Sequence, residues 1–134
     1  MDLIIWRESF ETGYLRVDNQ HKQLVALINK LYKGMGAKDK EMQLKLIFNE
    51  LFNYTLTHFT MEETMMQGFE YPNYLQHKDQ HSQFIIKMKD FKEAYFLDNK
   101  KINLEILNFL KDWLLKHIIG TDKVTFEEIK KRTQ

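Results

Sequence analysis

Residues 74–95 carry large apolar, aromatic or histidine side chains at spacings that alternate strictly between three and four residues. The positions are Tyr74, His77, His81, Phe84, Met88, Phe91 and Tyr95. This spacing returns to the same face of an α-helix at every turn, whereas a half-buried β-strand repeats every second residue. The segment therefore predicts a long helix with one face that must be buried against other helices.

Three further apolar stripes of helical period occur along the chain, so four amphipathic helices are predicted. Polar capping residues, glycines and one proline indicate where these helices begin and end. The predicted boundary residues are Asp18 or Asn19 and Gly34 for the first helix, Asp39 and Gly68 for the second, Pro72 in the first turn of the third, and a turn from Leu97 to Lys100 before the fourth.

The two ends of the chain differ from this pattern. Residues 1 to about 17 lack a sustained period and are expected to form an extended arm across the domain. Gly120 interrupts the fourth stripe, and a short polar helix from about Thr121 to Arg132 is expected after it. Because short connections make neighbouring helices antiparallel, the predicted fold is all-α: an up-down-up-down four-helix bundle, one domain over residues 1–134.

The composition narrows the classes of function. A net charge of +1 gives no basic excess to favour a nucleic acid or an anionic membrane. The absence of cysteine excludes disulfides, thiolate metal sites and a cysteine nucleophile. No signal peptide and no apolar run of about 20 residues is found. We therefore expect a soluble, cytoplasmic protein without a nucleic-acid or membrane partner. We also expect a monomer, which the composition does not test.

All five histidines fall on the apolar stripes of the predicted helices. They are His21, His58, His77, His81 and His117. One such histidine would be interpreted as a core residue with a hydrogen-bond partner, but five from four helices would each need a buried partner. A metal site satisfies many imidazoles at once, so the pattern favours metal binding.

The spacing of the polar residues supports this interpretation. His77 and His81, in HKDQH, lie one helical turn apart, and so do His58 and Glu62, in HFTME. Asp122 follows His117 by five residues, which in a regular α-helix turns it about 140° away. A break at Gly120 is the expected way to bring Asp122 back to the same face.

Five imidazoles and two carboxylates exceed the four ligands of a tetrahedral zinc site. Two ions bridged by Glu62 and Asp122 would use every donor. Imidazole suits iron, copper, nickel and zinc, and bridging carboxylates suit iron or manganese, which favours a di-iron pair. HKDQH also shares its two histidines with the zinc-protease motif HExxH, but Lys78 stands where that motif requires the glutamate.

Four segments resemble the hemerythrin family, and in particular its bacterial members of one domain. They are VDNQHKQL (17–24), HFTMEE (58–63), YPNYLQHKDQH (71–81) and WLLKHIIGTD (113–122). The resemblance implies that His77, His81 and His117 hold one iron and that His21 and His58 hold the other. It implies that Glu62, Asp122 and an oxo or hydroxo group bridge the two ions. It further implies that oxygen binds at the open position of the two-histidine iron, in a pocket lined by Leu114 and Trp113.

The function implied by the resemblance is reversible binding of molecular oxygen, for carriage, storage or buffering. A di-iron redox enzyme is the first alternative, acting on peroxide or nitric oxide or protecting or repairing iron–sulfur centres. An oxygen or redox sensor is the second. We also expect Glu63 to be solvated, because Glu62 rather than Glu63 shares the helix face of His58, and Asp18 to be a helix cap.

Overall fold

The computed structural model describes residues 2–35, 41–96 and 104–132, which are mostly helical. Within these ranges the elements are a 3₁₀ turn at Glu8–Phe10, then α1 (Leu15–Gly34), α2 (Glu41–Gly68), α3 (Tyr74–Phe96), α4 (Leu104–Lys116) and α5 (Lys123–Arg132). The first four helices form an up-down-up-down bundle, and α5 continues beyond the fourth. The predicted all-α bundle with a short C-terminal helix is therefore confirmed.

The four long helices close into a ring. Helix α1 packs against α2 and α4, and α2 packs against α3. Aromatic pairs join α3 to α4: the ring of Phe84 stacks on Trp113 with centroids 4.1 Å apart, and Phe91 meets Phe109 edge to face at 5.4 Å. Within the described ranges, none of the helices combines the length and apolar content needed to cross a bilayer.

The buried apolar residues form two clusters, one towards each end of the bundle, within the described part of the chain. The larger cluster includes Leu24, Phe59, Phe84 and Leu114, and the smaller one is Val17, Met61, Met66, Tyr71, Phe126 and Ile129. Along the chain, the seven polar residues singled out above fall between or beside members of the two clusters. The bundle therefore has an apolar layer on either side of a polar one, and these layers shield the polar layer along the bundle axis.

The N-terminal arm is shorter than predicted, because α1 begins at Leu15. Asp18 lies within the first turn of α1 and is not its N-cap, so that prediction was wrong. Its carboxylate accepts hydrogen bonds from the backbone N–H and the hydroxyl of Thr12, both at 2.8 Å, and from the backbone N–H of Gly13 at 3.2 Å. Asp18 thus fixes the preceding loop, in which Gly13 takes a φ of 85° that favours glycine.

Hydrogen bonds at Ile4 and Ser9 help to hold the rest of the arm against the bundle. The side-chain amide of Asn29 accepts from the backbone N–H of Ile4 and donates to its carbonyl, both at 2.8 Å. The ammonium group of Lys123 donates to the backbone carbonyl of Ser9 at 3.2 Å. The N-terminal arm therefore packs against α1 and the start of α5.

The connection before α3 departs from the prediction, and two other connections lie outside the described residues. Pro72 precedes α3 in a turn rather than occupying its first turn, and the backbone N–H of His77 bonds to the carbonyl of Asn73 at 3.1 Å. The predicted cap Asp39 and the predicted turn from Leu97 to Lys100 lie outside the described residues. Gly120 does not break the fourth helix.

Candidate metal centre

The structure brings the seven predicted donors into one buried cluster. One comes from α1, two come from each of α2 and α3, and two come from the segment that joins α4 to α5. They are His21, His58, Glu62, His77, His81, His117 and Asp122, and each side chain is 3% exposed or less. Four helical segments therefore direct five imidazoles and two carboxylates to the same place.

The donors divide into two groups, each with its potential ligand atoms within 4.8 Å of one another, among the described residues. One group has three histidines, His77, His81 and His117, and the other has two, His21 and His58. Glu62 and Asp122 belong to both groups. The arrangement therefore offers two adjacent metal positions that share two carboxylates, and the second position has one histidine fewer.

Glu62 divides its two oxygens between the groups. Its Oε1 lies 3.1 Å from Nε2 of His81 and 3.5 Å from Nε2 of His77. Its Oε2 lies 3.0 Å from Nε2 of His58 and 3.3 Å from Nε2 of His21. A carboxylate placed in this way can give one oxygen to each of two ions.

Asp122 is divided in the same manner. Its Oδ1 lies 2.9 Å from Nε2 of His77 and 3.1 Å from Nε2 of His117, and its Oδ2 lies 2.9 Å from Nε2 of His21. Each oxygen therefore faces a different group of histidines. Together, the two carboxylates can bridge both metal positions. Glu62 does so from α2, and Asp122 does so from the segment that joins α4 to α5.

A π-helical segment, His117–Asp122, explains how Asp122 reaches the cluster. The backbone N–H of Lys123 bonds to the carbonyl of Ile118, five residues earlier. In this geometry residues five apart lie one above the other, so Asp122 shares the face of His117. The predicted break at Gly120 was wrong: α4, the π-helical segment and α5 form one continuous helix.

Four of the five imidazoles are oriented through Nδ1 by a partner from another helical segment, among the residues that the structure describes. The Nδ1–O distances are 2.7 Å from His58 to Gln20, 2.8 Å from His77 to Thr125, 2.9 Å from His81 to Glu63 and 3.0 Å from His117 to Gln80. Such bonds place the proton on Nδ1 and leave Nε2 free to bind a metal.

Glu63 is one of these partners, so the prediction that it is solvated was wrong. Its side chain is 20% exposed, and its Oε2 accepts the hydrogen bond from His81. Sequence spacing could not reveal any of the four partners, because each bond joins residues at least 18 positions apart on different helical segments. The adjacency of Glu62 and Glu63 is the one sequence signal for this contact, and helix face alone cannot distinguish a solvated carboxylate from one that reaches a neighbouring helix.

Charge within the cluster shifts the pKa of several groups. Burial lowers the pKa of His21, but the adjacent carboxylates of Asp122 and Glu62 outweigh this and raise it to about 10. The same balance raises the pKa of His77 to about 9. For His117 burial dominates and lowers the pKa. Burial opposes ionisation of both carboxylates, yet the surrounding imidazoles hold the pKa values of Glu62 and Asp122 well below the usual range.

These shifts predict that metal uptake releases protons. Near neutral pH the metal-free protein would hold protons on His21 and His77, and a metal must displace them. Because the two pKa values are raised, protonation of His21 and His77 stabilises the metal-free fold at pH values below them. This stabilisation is lost as the pH rises through about 9 to 10. We expect release of about one proton from each of His21 and His77, and an apparent affinity for the metal that rises with pH.

Calorimetry of zinc binding in buffers of different ionisation enthalpy would count the protons released. An affinity that stays constant as the pH is raised from about 6.5 towards these pKa values would contradict the prediction.

The residues fit a metal pair on a direct structural test. Within the described ranges, Oε1 of Glu62 and both carboxylate oxygens of Asp122 are buried without a hydrogen-bond partner. In addition, Nε2 of His117 lies 3.2 Å from Nε2 of His77 and 3.0 Å from Nε2 of His81. Buried polar atoms without partners and converging imidazole nitrogens are costly. Cations between them would satisfy both.

Aromatic rings cover the three-histidine group. Phe59 stacks on His81 with centroids 3.8 Å apart and planes at 2°, and Trp113 stacks on His117 at 4.6 Å and 14°. Trp113 is partly exposed, and it lines a surface pocket with Gln80. Leu114, the next residue, is 3% exposed and belongs to the larger apolar cluster. The structure thus places Trp113 beside the three-histidine group.

The bundle, its two shared carboxylates and its five inward imidazoles define a class: helical-bundle proteins with a histidine-rich site for a metal pair. The model of the hemerythrin HHE cation-binding domain matches residues 12–129. The chain belongs to the hemerythrin family.

Proteins of similar sequence and a similar solved structure support this family assignment. A bacteriohemerythrin of Pseudomonas aeruginosa is 33% identical over 89% of this chain and 76% of its own length. Myohemerythrin-1 of Phascolopsis gouldii is 34% identical over 88% of this chain and 87% of its own. A crystal structure of wild-type hemerythrin superposes with a TM-score of 0.87 at 26% identity, covering 93% of this chain and 98% of that one.

Proposed function

We propose that this protein holds a di-iron centre and binds molecular oxygen reversibly. The observation that carries the proposal is the division of Glu62 and Asp122, each with one oxygen towards a group of three histidines and one towards a group of two. One iron would be held by His77, His81 and His117, and the other by His21 and His58. An oxo or hydroxo group would complete the bridge.

The donor set supports iron and supports reversibility. Neutral imidazoles outnumber carboxylates five to two among the converging side chains. Anionic ligands stabilise the high oxidation states that split oxygen, and a largely neutral set disfavours them. When bound, the iron pair would supply the electrons that hold oxygen and recover them on its release. The two-histidine position has one donor fewer, which leaves room there for a diatomic ligand.

The chain's own residues would keep this site dry and rigid. Apolar clusters lie on both sides of the donors, and Leu114 and Phe59 are buried next to them along the chain. Excluding water hinders proton entry and the loss of reduced oxygen species. The partners of Nδ1 hold the imidazoles at fixed angles, so the donors do not need to reorganise when a ligand binds.

The test is a cycle of reduction, oxygenation and degassing on protein of measured iron content. We expect about two irons per chain, a visible absorption band when the ferrous protein meets oxygen, and loss of the band when oxygen is removed. Protein loaded with zinc is the control, because zinc has no redox chemistry. A band that never forms or never reverses would rule out the carrier function.

A replacement in the proposed oxygen pocket gives a further prediction. Leu114→Ala should lower the free energy of unfolding by about 2 to 5 kcal/mol, because a buried leucine leaves a cavity. It should also speed the oxidation of the oxygenated protein, because the enlarged pocket admits water. Thermal melting and the decay of the visible band in air measure the two effects.

Leu104→Ala is the matched control, since Leu104 is 51% exposed on the same helix. If the two variants lost the band at the same rate, Leu114 would not protect the bound oxygen.

A redox enzyme is a second candidate, and one observation favours it. Two surface pockets on either side of Gln80 are lined in part by His117 and His77, so water and protons can approach the three-histidine group. Easy proton entry suits the reduction of peroxide or nitric oxide. Turnover of hydrogen peroxide by the iron protein, absent from the zinc protein, would support this function over reversible binding.

The remaining parts of the proposal concern the state of the protein in the cell. We propose a monomer of one domain that acts in the cytoplasm, since the composition favours neither a membrane nor a nucleic acid. Sedimentation at micromolar concentration tests the oligomeric state, and cell fractionation tests the location. A stable dimer, or recovery in the membrane fraction, would overturn the corresponding part.

A further inference from the structure

His81 lies between the carboxylates of two consecutive residues of α2. Its Nε2 is 3.1 Å from Oε1 of Glu62, on the side of the metal positions, and its Nδ1 is 2.9 Å from Oε2 of Glu63, on the outer side. Phe59 stacks on the ring face. The ring is therefore fixed from three directions, and its outer nitrogen faces a negative charge.

The other oriented histidines have uncharged outer partners. The Nδ1 atoms of His58 and His117 face the amide oxygens of glutamines, and that of His77 faces the hydroxyl of Thr125. Among the described residues, Glu63 is the one outer partner that carries a charge. Because its side chain is 20% exposed, water screens that charge incompletely.

A charged acceptor changes the imidazole as a ligand. When Nε2 binds a metal, the remaining proton lies on Nδ1 and is donated to the outer partner. A hydrogen bond to an ionised acceptor is about twice as strong as one to a neutral acceptor. It draws the proton away from the ring, so electron density at Nε2 rises and the ligand becomes more basic. Such a ligand stabilises a ferric ion more than a ferrous one.

We propose that Glu63 is a positioning residue that acts through His81. Its carboxylate strengthens metal binding at the three-histidine position and favours the more oxidised state there. The inference rests on the proposed di-iron function, because it concerns a bound metal. It makes the two metal positions unequal in affinity and in potential, beyond the difference in histidine number.

Glu63→Gln is the direct test, because glutamine keeps the shape and an acceptor oxygen but removes the charge. We expect about tenfold weaker zinc binding at one of the two positions, measured by competition with a chelator. In the iron protein, we expect the ferric state of that position to be disfavoured about tenfold, or about 59 mV for one electron. The midpoint potential should therefore rise.

Gln80→Glu is the reciprocal variant. The Oε1 of Gln80 accepts from Nδ1 of His117 and from the hydroxyl of Thr121, and a carboxylate can accept both bonds. The midpoint potential should fall in this variant, by a smaller factor, because Gln80 is exposed and its charge would be screened. A loss of packing would not produce shifts of opposite sign.

The outcomes separate the two proposals. Wild-type protein that fails to bind two irons would overturn the di-iron function itself. If the wild type binds two irons, but Glu63→Gln leaves both zinc affinity and midpoint potential unchanged, the role of Glu63 is refuted. Potentials that move in the same direction in both variants would refute it too. If Glu63→Gln does not fold, an unchanged potential in Gln80→Glu would refute the mechanism on which the role of Glu63 rests, because it would show that a charged partner of Nδ1 does not shift the potential.

Discussion

Glu62→Gln is expected to abolish the binding of both metals while leaving the bundle folded. Each oxygen of Glu62 faces a different group of histidines, so an amide with one oxygen and one NH₂ group cannot serve both. Loss of an outer partner of a ligand costs about 10- to 100-fold in metal affinity, and loss of a shared donor should exceed about 100-fold. Iron analysis after gel filtration, with chelator competition, measures the effect.

Folding of the variant follows from the charge of the cluster. Glu62 and Asp122 are both buried, and each opposes the ionisation of the other. A neutral amide removes this repulsion but also the attraction to the protonated His21 and His77, so the metal-free variant should melt lower than the metal-free wild type while staying folded at room temperature. Glu50→Gln, an exposed position on the same helix, is the matched control and should keep full iron content. Wild-type affinity in Glu62→Gln would show that the carboxylate does not bridge.

Periodicity was sufficient to predict the bundle from the sequence. The alternating spacing from Tyr74 to Tyr95 corresponds to α3, Tyr74–Phe96, almost residue for residue. A helix of this length with one apolar face has few ways to bury it, and short connections leave the antiparallel arrangement. The predicted N-cap of α1 lies four or five residues after the observed one, Tyr14, since Asp18 bonds to the loop before the helix rather than to the helix itself.

Contacts between side chains on different helices could not be predicted from the sequence. The bond between His58 and Gln20 and the bond between His81 and Glu63 depend on how α1, α2 and α3 are rotated against one another. A stripe fixes which face of a helix is inward, but residues at the edge of a stripe can point either to water or to a neighbouring helix. Glu63 lies at such an edge, which is why face alone gave the wrong expectation.

Asp122 shows a different limit, which concerns the helix itself. The five-residue offset from His117 is incompatible with an α-helix, so a departure from regular geometry could be predicted, but not its kind. Gly120 suggested a break, yet a Cβ at this position would meet nothing within 4 Å, and the chain stays helical. The extra residue is absorbed by a π-helical turn, which keeps both Asp122 and the buried face of α5 in phase.

An alanine inserted between Gly120 and Thr121 should therefore abolish iron binding. It would place the carboxylate six residues after His117, about 240° around an α-helix. The inserted residue would also rotate α5 by about 100° and turn Phe126 and Ile129 out of the core. We expect loss of both irons and of about 5 kcal/mol or more in the free energy of unfolding. Iron analysis and denaturant titration measure the two effects.

Gly120→Ala is the matched control, because it adds the same side chain without changing the register. If phase rather than chain flexibility positions Asp122, this variant should keep both irons and gain up to about 1 kcal/mol, since alanine favours a helix more than glycine does. A loss of iron in Gly120→Ala equal to that of the insertion would mean that the flexibility of glycine positions the carboxylate. The π-helical turn would then be a consequence of metal-site assembly instead of its cause.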